Sequence, residues 1–304
     1  MSDENAAPRR PPVAPPAAYL LAVCCTVIWG SPPVVTRAVS GAIPPGALSF
    51  SRWFLAALVL LPFVWRKLPT EWPRLKRHWR SLTGLALLMV AGSSLSVFAV
   101  YFTTATNAVL VNASQPAITA VAAWLLARHA LTERQVMGIV CAFAGITVMV
   151  FRADLGVLLG LDINIGDLIM LGAVIGWSLY AVQLHRREYL PSGDLLLFVI
   201  SVVGSIVLLP IYLVEANASG PFEFTTGVIG AMLYLTLFPT LLATLCWNLA
   251  IGTLGPNRAA IFINLIPVSG ATLAMLFLGE RLFTYHLVGA ALVFAGIVLA
   301  ARHR

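Results

Sequence analysis

A few polar side chains stand inside long apolar stretches of this sequence, where they can do chemistry that their neighbours cannot. Arg52 lies six residues into one such stretch. A charge within an apolar stretch long enough to span a membrane is a functional hypothesis by default, because burying it is costly. Arg52 is therefore predicted to contact a carboxylate or carbonyl group of a substrate. The alternative is that its guanidinium extends to the outer membrane interface.

The side chains of Asn112, Gln115 and Thr119 are spaced at i, i+3 and i+7, so one face of a helix would carry all three. An amide without a hydrogen-bond partner is costly in hydrocarbon. This face is therefore predicted to turn away from lipid. It would then either line a substrate cavity or hydrogen-bond to a neighbouring helix, and both interpretations remain open.

Aromatic side chains within the apolar stretches are candidates for stacking on a planar or cationic substrate. Trp177 and Tyr180, for example, share one helical face. Packing inside the protein is the alternative for each aromatic residue. The residues predicted to line a substrate cavity are Trp29, Arg52, Tyr101, Asn112, Gln115, Trp177, Tyr180, Trp247, Asn248 and Asn264.

Acidic residues do not occur in the middle of any apolar stretch, since Asp167, Glu215 and Glu280 all lie near stretch ends. Proton-coupled pumps commonly use buried acids, so a relay of that kind is not predicted. The histidines also lie in loops or at stretch ends: His78, His129, His185, His286 and His303. The sequence contains no nucleotide-binding loop, metalloprotease motif or serine nucleophile motif. We therefore predict no enzyme, no metal site and no cofactor.

Composition places these candidates in a membrane protein. Of 304 residues, 60% are hydrophobic and 10% are charged, whereas a soluble domain has about 25% charged residues. Apolar runs of roughly 20 residues recur along the chain, and an α-helix of that length crosses about 30 Å of hydrocarbon. The predicted fold class is an all-α integral membrane protein whose partner is the lipid bilayer. We attribute the net charge of +7 to membrane topology and not to nucleic-acid binding.

Turn signals divide the apolar sequence into ten predicted transmembrane helices, after a disordered, proline-rich tail at residues 1–17. The predicted spans are 18–36, 46–65, 82–102, 108–127, 135–151, 167–184, 195–214, 227–248, 257–278 and 286–301. The break at Thr103–Asn107 contains no proline or glycine, and it rests on the repeat described below. Tryptophans near span ends are predicted to form an interfacial belt: Trp53, Trp65, Trp72 and Trp79.

Orientation follows from the basic residues, which concentrate in the cytoplasmic loops of membrane proteins. If the amino terminus is cytoplasmic, most of the 19 lysines and arginines fall on the cytoplasmic side. They are Arg9, Arg10, Arg66, Lys67, Arg74, Lys76, Arg77, Arg80, Arg128, Arg134, Arg186, Arg187, Arg302 and Arg304. Because the number of spans is even, both termini are predicted to be cytoplasmic.

The sequence repeats itself at two similar offsets. At an offset of 151, residues 99–150 align with 250–301 without a gap, and Pro116 aligns with Pro267. At an offset of 148, Trp29 aligns with Trp177. The repeats are predicted at 18–152 and 167–301, and five spans each would invert one repeat relative to the other, with a site between them. The two mid-span prolines would either hinge gates or form static kinks.

Several motifs resemble those of the EamA-type transporters of the drug/metabolite transporter superfamily. The first is Val27-Ile28-Trp29-Gly30-Ser31 followed by Arg37. The second is a mid-span proline, a Gly-Glu pair and a glycine-spaced last helix, here Pro267, Leu278-Gly279-Glu280-Arg281, Gly289 and Gly296. The resemblance covers nearly the whole chain after residue 17. The first repeat departs from it, with Arg128-His129 where the second repeat has Gly279-Glu280.

This resemblance implies ten helices, of which eight surround a central cavity and the fifth and tenth are peripheral. It also implies export or facilitated transport of small metabolites by alternating access, above all of neutral and aromatic amino acids, in the bacterial inner membrane. A multidrug exporter and, more remotely, a channel or an intramembrane enzyme are the alternatives. The oligomeric state is open, and a monomer is compatible with the sequence. Gly138 and Gly145, or Gly289 and Gly296, would pack either within one chain or between chains.

Overall fold

The computed structural model describes residues 14–127, 132–152, 164–185, 189–220, 222–254 and 262–301, and nearly all of them are helical. In chain order the α-helices are α1 (Pro15–Gly30), α2 (Pro32–Val39), α3 (Pro45–Val64), α4 (Leu68–Arg77), α5 (Trp79–Phe102), α6 (Ala105–Asn112), α7 (Gln115–Ala127), α8 (Glu133–Val150), α9 (Ile165–His185), α10 (Gly193–Ser219), α11 (Thr226–Leu235), α12 (Ala243–Leu254), α13 (Leu265–Leu278) and α14 (Thr284–Ala301). A π-helical segment, Thr236–Leu242, joins α11 to α12. Most of the predicted tail lies outside the described residues, and α1 begins within its last part, at Pro15.

Seven helical stretches in the described ranges are long and apolar enough to cross a membrane. They are Pro16–Val39, Pro45–Val64, Trp79–Phe102, Glu133–Val150, Ile165–Leu184, Gly193–Ala218 and Thr226–Ala250. Helices α6 and α7 pass the same test together, as one span bent by 42°. Helices α13 and α14 are apolar but shorter. The all-helical class predicted from composition is confirmed.

The connection between the second and third spans contains α4, a helix that the sequence analysis does not predict. Pro69 occupies the second position of α4, where its missing N–H is not needed and its fixed φ favours the helix. Leu75 is buried, while Arg74, Lys76 and Arg77 lie in the last turn, at the negative end of the helix dipole. The helix is therefore amphipathic and lies along the protein surface.

Local chemistry explains where the long helices break. Thr104 Oγ1 accepts a hydrogen bond from the Asn107 N–H at 3.1 Å and caps α6. The predicted break at Thr103–Asn107 is thereby confirmed. Helix α7 begins one residue before Pro116, which cannot continue the backbone hydrogen bonding of α6. The kink predicted at Pro116 is the 42° bend between α6 and α7. In the second half a turn precedes α13, and Pro267 is the third residue of that helix.

Pro239 distorts the predicted eighth span, an irregularity that the sequence analysis does not anticipate. This proline has no N–H to donate, and the Leu235 carbonyl instead accepts a hydrogen bond from the Thr240 hydroxyl at 2.8 Å. The backbone widens around it into the π segment. Single π-helical turns of this kind occur frequently at functional sites.

Helices of the first half pack against helices of the second. Helix α3 packs on α10, α5 on α9, α6 on α13, α8 on α14, and α1 on both α12 and α13. A Cβ at Gly145 would lie 2.5 Å from the Gly289 carbonyl oxygen, and one at Gly296 would lie 2.4 Å from that of Gly138. These four glycines therefore bring α8 and α14 together antiparallel within one chain, which is the first of the two alternatives left open above.

Large apolar side chains cover much of the outer surface, as lipid contact requires; Leu276 and Phe277 are 73% and 75% exposed. Three of the four belt tryptophans are also exposed: Trp65, Trp72 and Trp79. Trp53 is only 1% exposed and belongs to an apolar cluster of α3, α5 and α10. The interfacial prediction for Trp53 is therefore wrong, because α5 and α10 cover the face of α3 on which it lies.

Candidate functional site

Arg52 lies inside the protein, in the first half of α3, with 6% of its surface exposed. Its Nη2 donates a hydrogen bond to Ser93 Oγ on α5, whereas Nε has no hydrogen-bond partner among the described residues. The Arg52 carbonyl accepts a hydrogen bond from the Thr236 hydroxyl of the π segment at 3.4 Å. The interpretation that Arg52 extends to the membrane interface is wrong, because α3, α5 and the π segment enclose it.

Trp177 and Tyr180 share one face of α9, as predicted, with ring centroids 6.0 Å apart and an interplanar angle of 85°. Both pack against the apolar cluster of α3, α5 and α10. A Cβ at Gly92 would lie 2.8 Å from the Trp177 backbone nitrogen. Gly92 directly precedes Ser93, which binds Arg52, and the cluster against which both aromatic residues pack contains Trp53, the residue after Arg52.

Trp29 and Trp247 form a second aromatic pair, between α1 and α12, with ring centroids 5.4 Å apart and an interplanar angle of 59°. The Trp29 indole N–H donates to the Pro239 carbonyl of the π segment at 3.0 Å. Asn248 is exposed and faces the start of α10, where a Cβ at Gly193 would lie 3.2 Å from its Nδ2. Trp247 and Asn248 therefore have different surroundings although they are adjacent in sequence.

Asn112 and Gln115 flank the break between α6 and α7, and both side chains are half-buried. Neither amide hydrogen-bonds to another residue in the described part of the chain. Thr119 Oγ1 lies 2.7 Å from the Gln115 carbonyl oxygen and 3.0 Å from Ser178 Oγ on α9. Hydrogen bonding between helices thus accounts for Thr119, while the two amides keep their donors and acceptors for another partner.

Tyr101 and Asn264 complete the predicted cavity residues. The Tyr101 hydroxyl donates to the Ile43 carbonyl at 2.5 Å and ties the end of α5 to the loop before α3. Asn264 is half-buried and precedes α13 without capping it. Tyr101 is therefore held by a structural hydrogen bond, whereas Asn264 lies at a helix break that corresponds to the one beside Asn112.

A buried polar network that the sequence analysis missed joins α5, α6, α9 and α14. Asp167 is 1% exposed and accepts hydrogen bonds from Thr103 Oγ1 at 2.5 Å and from Asn107 Nδ2 at 3.2 Å. Asn107 Oδ1 lies 2.6 Å from Nε2 of His286, which is 3% exposed. Because His286 Nδ1 accepts the Phe283 N–H at 3.1 Å, the Nε2 proton is the one donated to Asn107.

Asp167 and His286 lie at span ends, as the sequence indicates, but both are buried there, which the sequence analysis does not predict. Helices α6, α9 and α14 meet at these ends and cover both side chains. The predicted topology already assigns Thr103, Asp167 and His286 to the same outer side of the membrane. Their shared position on one side of the membrane is the feature of the sequence from which a contact between them could have been predicted.

Two further carboxylates bind the N-termini of helices from the opposite half. Glu280 accepts hydrogen bonds from the first two N–H groups of α6, at 2.9 and 2.8 Å. Glu215 accepts hydrogen bonds from the N–H groups of Gly46 and Ala47 in α3, at 2.9 and 3.0 Å. In both places a negative charge meets the positive end of a helix dipole, which stabilises the contact between the halves.

Lys67 and Asp194 form an ion pair of 2.5 Å at the opposite end of the α3–α10 pair, beside a surface cavity of about 370 Å³. None of the predicted cavity residues lines this space. Tyr189 does line it and donates a hydrogen bond to Glu71. Burial of the Tyr189 hydroxyl and, as a smaller cause, this hydrogen bond raise the pKa of Tyr189. Within the described ranges, no three His, Cys, Asp or Glu side chains converge as metal ligands.

The EamA-like transporter family matches this chain over residues 16–151 and 164–302. An uncharacterized transporter of Bacillus subtilis, YyaM, is 26% identical over 287 residues, which is 93% of each chain. A probable amino-acid metabolite efflux pump of Salmonella typhimurium is 26% identical over 291 residues, 92% of this chain and 93% of that one. A solved crystal structure that is 17% identical has a TM-score of 0.59 over 95% of this chain and 97% of its own, which supports the fold alone. With its membrane-length helices, the chain therefore belongs to the EamA-like transporter family.

Proposed function

We propose that this protein is a secondary transporter that moves small metabolites, including neutral and aromatic amino acids, across the bacterial inner membrane. Its ten membrane-crossing elements form two inverted repeats, 18–152 and 167–301, around a central site. Both termini are cytoplasmic, in keeping with the distribution of lysine and arginine. The two repeats expose the site to each side of the membrane in turn.

The packing of equivalent helices carries this proposal. If each helix is exchanged for its counterpart in the other half, the α5–α9 pair becomes the α1–α12 pair, and the α3–α10 and α8–α14 pairs are unchanged. Helices α3 and α10 run antiparallel, since Glu215 near the end of α10 binds Gly46 at the start of α3. Equivalent helices that pack antiparallel are what an inverted repeat requires.

The contacts at the two ends of the α3–α10 pair support the same arrangement. At the offset of 148, Lys67 corresponds to Glu215, and Gly46 corresponds to Asp194. Glu215 binds Gly46 at one end, at 2.9 Å, and Lys67 pairs with Asp194 at the other, at 2.5 Å. Residues at equivalent positions of the two repeats thus connect α3 to α10 at both ends of this helix pair. One contact would break when the protein opens to one side of the membrane, and the other contact would break when it opens to the other side.

Amino acids are the proposed substrates for two reasons. One relative is named a probable amino-acid metabolite efflux pump. The half-buried rings of Trp29 and Trp177 and the unpaired amides of Asn112 and Gln115 also supply stacking surfaces and hydrogen-bonding groups. The amides lie at the break before Pro116, so a change in the bend there would move them relative to a bound substrate.

Uptake of labelled L-phenylalanine into proteoliposomes that contain only this protein tests the proposal. Wild-type uptake is expected to saturate. Gln115→Ala and Trp177→Ala are expected to lower kcat/KM about three- to tenfold, because each removes a hydrogen-bonding or stacking group. Trp72→Ala is the matched control, since it removes an exposed tryptophan outside the proposed site.

Folded Gln115→Ala and Trp177→Ala proteins with unchanged kinetics would remove those residues from the site. Wild-type flux that rises without limit as substrate increases would replace the carrier with a channel. Uptake measured with and without a pH gradient will show whether transport is coupled to protons.

A further inference from the structure

We propose that the Arg52 guanidinium binds the carboxylate of the transported substrate, with the hydroxyl groups of Ser49, Ser93 and Ser94 completing the subsite. This inference rests on the proposed transport function and narrows its substrate class to monocarboxylates that carry an apolar group. Amino acids belong to this class, as do carboxylic acids without an amino group.

No acidic side chain in the described ranges neutralises Arg52. The two ion pairs found there are Lys67–Asp194 and Arg74–Glu71. The other described carboxylates either bind groups elsewhere or are exposed: Asp167, Glu215, Glu280, Glu133 and Glu223. An arginine keeps its charge in a protein interior, and that charge is costly to bury without an anion. Arg52 therefore lacks the counterion that its burial requires.

Most buried polar atoms without a partner in the described residues lie on the two helices that carry Arg52 and its hydrogen-bond partner Ser93. Among the described residues, four of the five such side-chain atoms belong to α3 or α5: Ser49 Oγ, Arg52 Nε, Trp53 Nε1 and Ser94 Oγ. Ser49 lies three residues before Arg52 on one face of α3. Ser94 follows Ser93, the residue that binds Arg52. Because nearly all buried polar atoms are hydrogen-bonded in native proteins, this cluster indicates a ligand that supplies the missing partners.

A carboxylate has the chemistry to satisfy these groups. Its two oxygens accept up to about four hydrogen bonds, and their spacing matches the parallel N–H groups of a guanidinium. The serine hydroxyls donate to the remaining lone pairs. Arg52 is the only buried lysine or arginine among the described residues. One cation matches the single charge of a carboxylate better than the two charges of a phosphate group.

Aromatic rings lie next to this subsite and define the rest of the substrate. The Arg52 guanidinium carbon lies 5.2 Å from the Trp53 ring centroid, and Trp177 and Tyr180 pack against the apolar cluster that contains Trp53. Tyr180 stands edge-on to the Trp177 ring. Both aromatic residues are half-buried. A substrate whose carboxylate reaches Arg52 therefore has an apolar or aromatic surface beside it for its side chain.

Arg37 is the matched comparison for Arg52. It lies in α2, is half-buried, and donates from Nη1 to the Val100 carbonyl at 3.1 Å. A backbone carbonyl holds this arginine without any ligand. Arg37→Gln therefore removes a guanidinium of the same kind from outside the proposed subsite.

Three probes with the same ring show whether binding depends on the carboxylate: L-phenylalanine and 3-phenylpropionate carry one, and L-phenylalanine amide does not. In nanodiscs, both acids are expected to raise the melting temperature of the wild-type protein, and the amide is not. Both acids are also expected to inhibit labelled L-phenylalanine uptake. In Arg52→Gln the inhibition constants of the acids should rise about tenfold or more, because charge-assisted hydrogen bonds are lost. Arg37→Gln should retain the wild-type preference for the acids over the amide.

An amide that binds as well as the acids, or unchanged acid binding in folded Arg52→Gln, would overturn the subsite while leaving transport intact. Acids that neither stabilise the wild-type protein nor inhibit uptake would overturn it as well. A folded wild-type protein without saturable uptake of any probe would instead refute the proposed function. If Arg52→Gln does not fold, Arg52→Lys replaces it, since it keeps the charge but loses the paired N–H groups, and its preference for acids must fall.

Discussion

Asp167 and Arg52 are both buried charged side chains, and they differ in how their hydrogen-bonding groups are satisfied. The Asp167 carboxylate accepts hydrogen bonds from Thr103 and Asn107, and Asn107 is held in turn by a histidine. The Arg52 guanidinium has one hydrogen-bond partner, Ser93, and lies 5.2 Å from the Trp53 ring centroid, while its Nε has no hydrogen-bond partner in the described structure. Burial alone therefore does not distinguish the two residues. They differ in how many of their hydrogen-bonding atoms have a partner.

If the proposed subsite is right, this difference separates a residue that holds helices together from one that binds the substrate. The Asp167 network joins four helices through neutral donors and is complete without any added molecule. Arg52 is incomplete in a region that also contains unpaired serine hydroxyls. We therefore expect substitutions around Asp167 to change stability first and substitutions around Arg52 to change substrate binding first.

The largest effect on stability is expected from Asp167→Ala. This change leaves the Thr103 hydroxyl and the Asn107 amide buried without their acceptor, at about 1–3 kcal/mol each. We expect the apparent melting temperature in detergent to fall by about 4 °C or more, at roughly 2–4 °C per kcal/mol. Arg52→Gln is the matched variant and should shift it by less than about 2 °C. Equal losses in the two variants would remove the distinction between them.

A smaller effect is expected where a carboxylate meets a helix N-terminus. Glu280→Gln keeps one acceptor for α6 but loses the charge that interacts with the helix dipole, at about 0.3–2 kcal/mol. Glu215→Gln makes the same change at α3 and should give a similar loss of melting temperature. A loss as large as that of Asp167→Ala would show that helix-end contacts matter as much as the buried network.

The smallest effect is expected from Lys67→Gln, which breaks the ion pair with Asp194 on the protein surface. Exposed ion pairs contribute about 0–1 kcal/mol and are screened by salt. Melting temperatures of the wild type and the variant should differ by no more than about 4 °C at low salt and converge at about 1 M salt. A difference that persists at high salt would mean that this pair behaves like a buried one.

Hydropathy and the internal repeat predict most helices of this protein, because both signals depend on patterns along the chain. The break at Thr103–Asn107 is predicted from the offset of 151 alone, and capping by Thr104 explains it. The bend beside Pro116 is likewise a local backbone effect. Helix caps and proline bends depend on residues close together in the chain, so they can be predicted from a single sequence.

The surroundings of side chains are harder to predict, because distant helices decide which face of a helix is covered. Trp53 looks interfacial by its position, yet it is buried by α5 and α10. Asp167 and His286 lie at span ends, and they are buried because four helix ends meet there. The burial of Arg52 depends on Ser93 and on the π segment at Pro239, which lie far away in the sequence. Candidate site residues could therefore be proposed one by one from the sequence, but the side chains that each of them contacts could not be predicted.

Counterflow tests the central claim, alternating access by this chain alone, most directly. Proteoliposomes are loaded with unlabelled L-phenylalanine and diluted into a trace of the labelled compound, with no ion gradient. We predict that labelled L-phenylalanine transiently accumulates inside above its equilibrium level, and that this accumulation saturates as the internal concentration rises. Label that only equilibrates, at a rate proportional to its concentration, would contradict alternating access and indicate a channel.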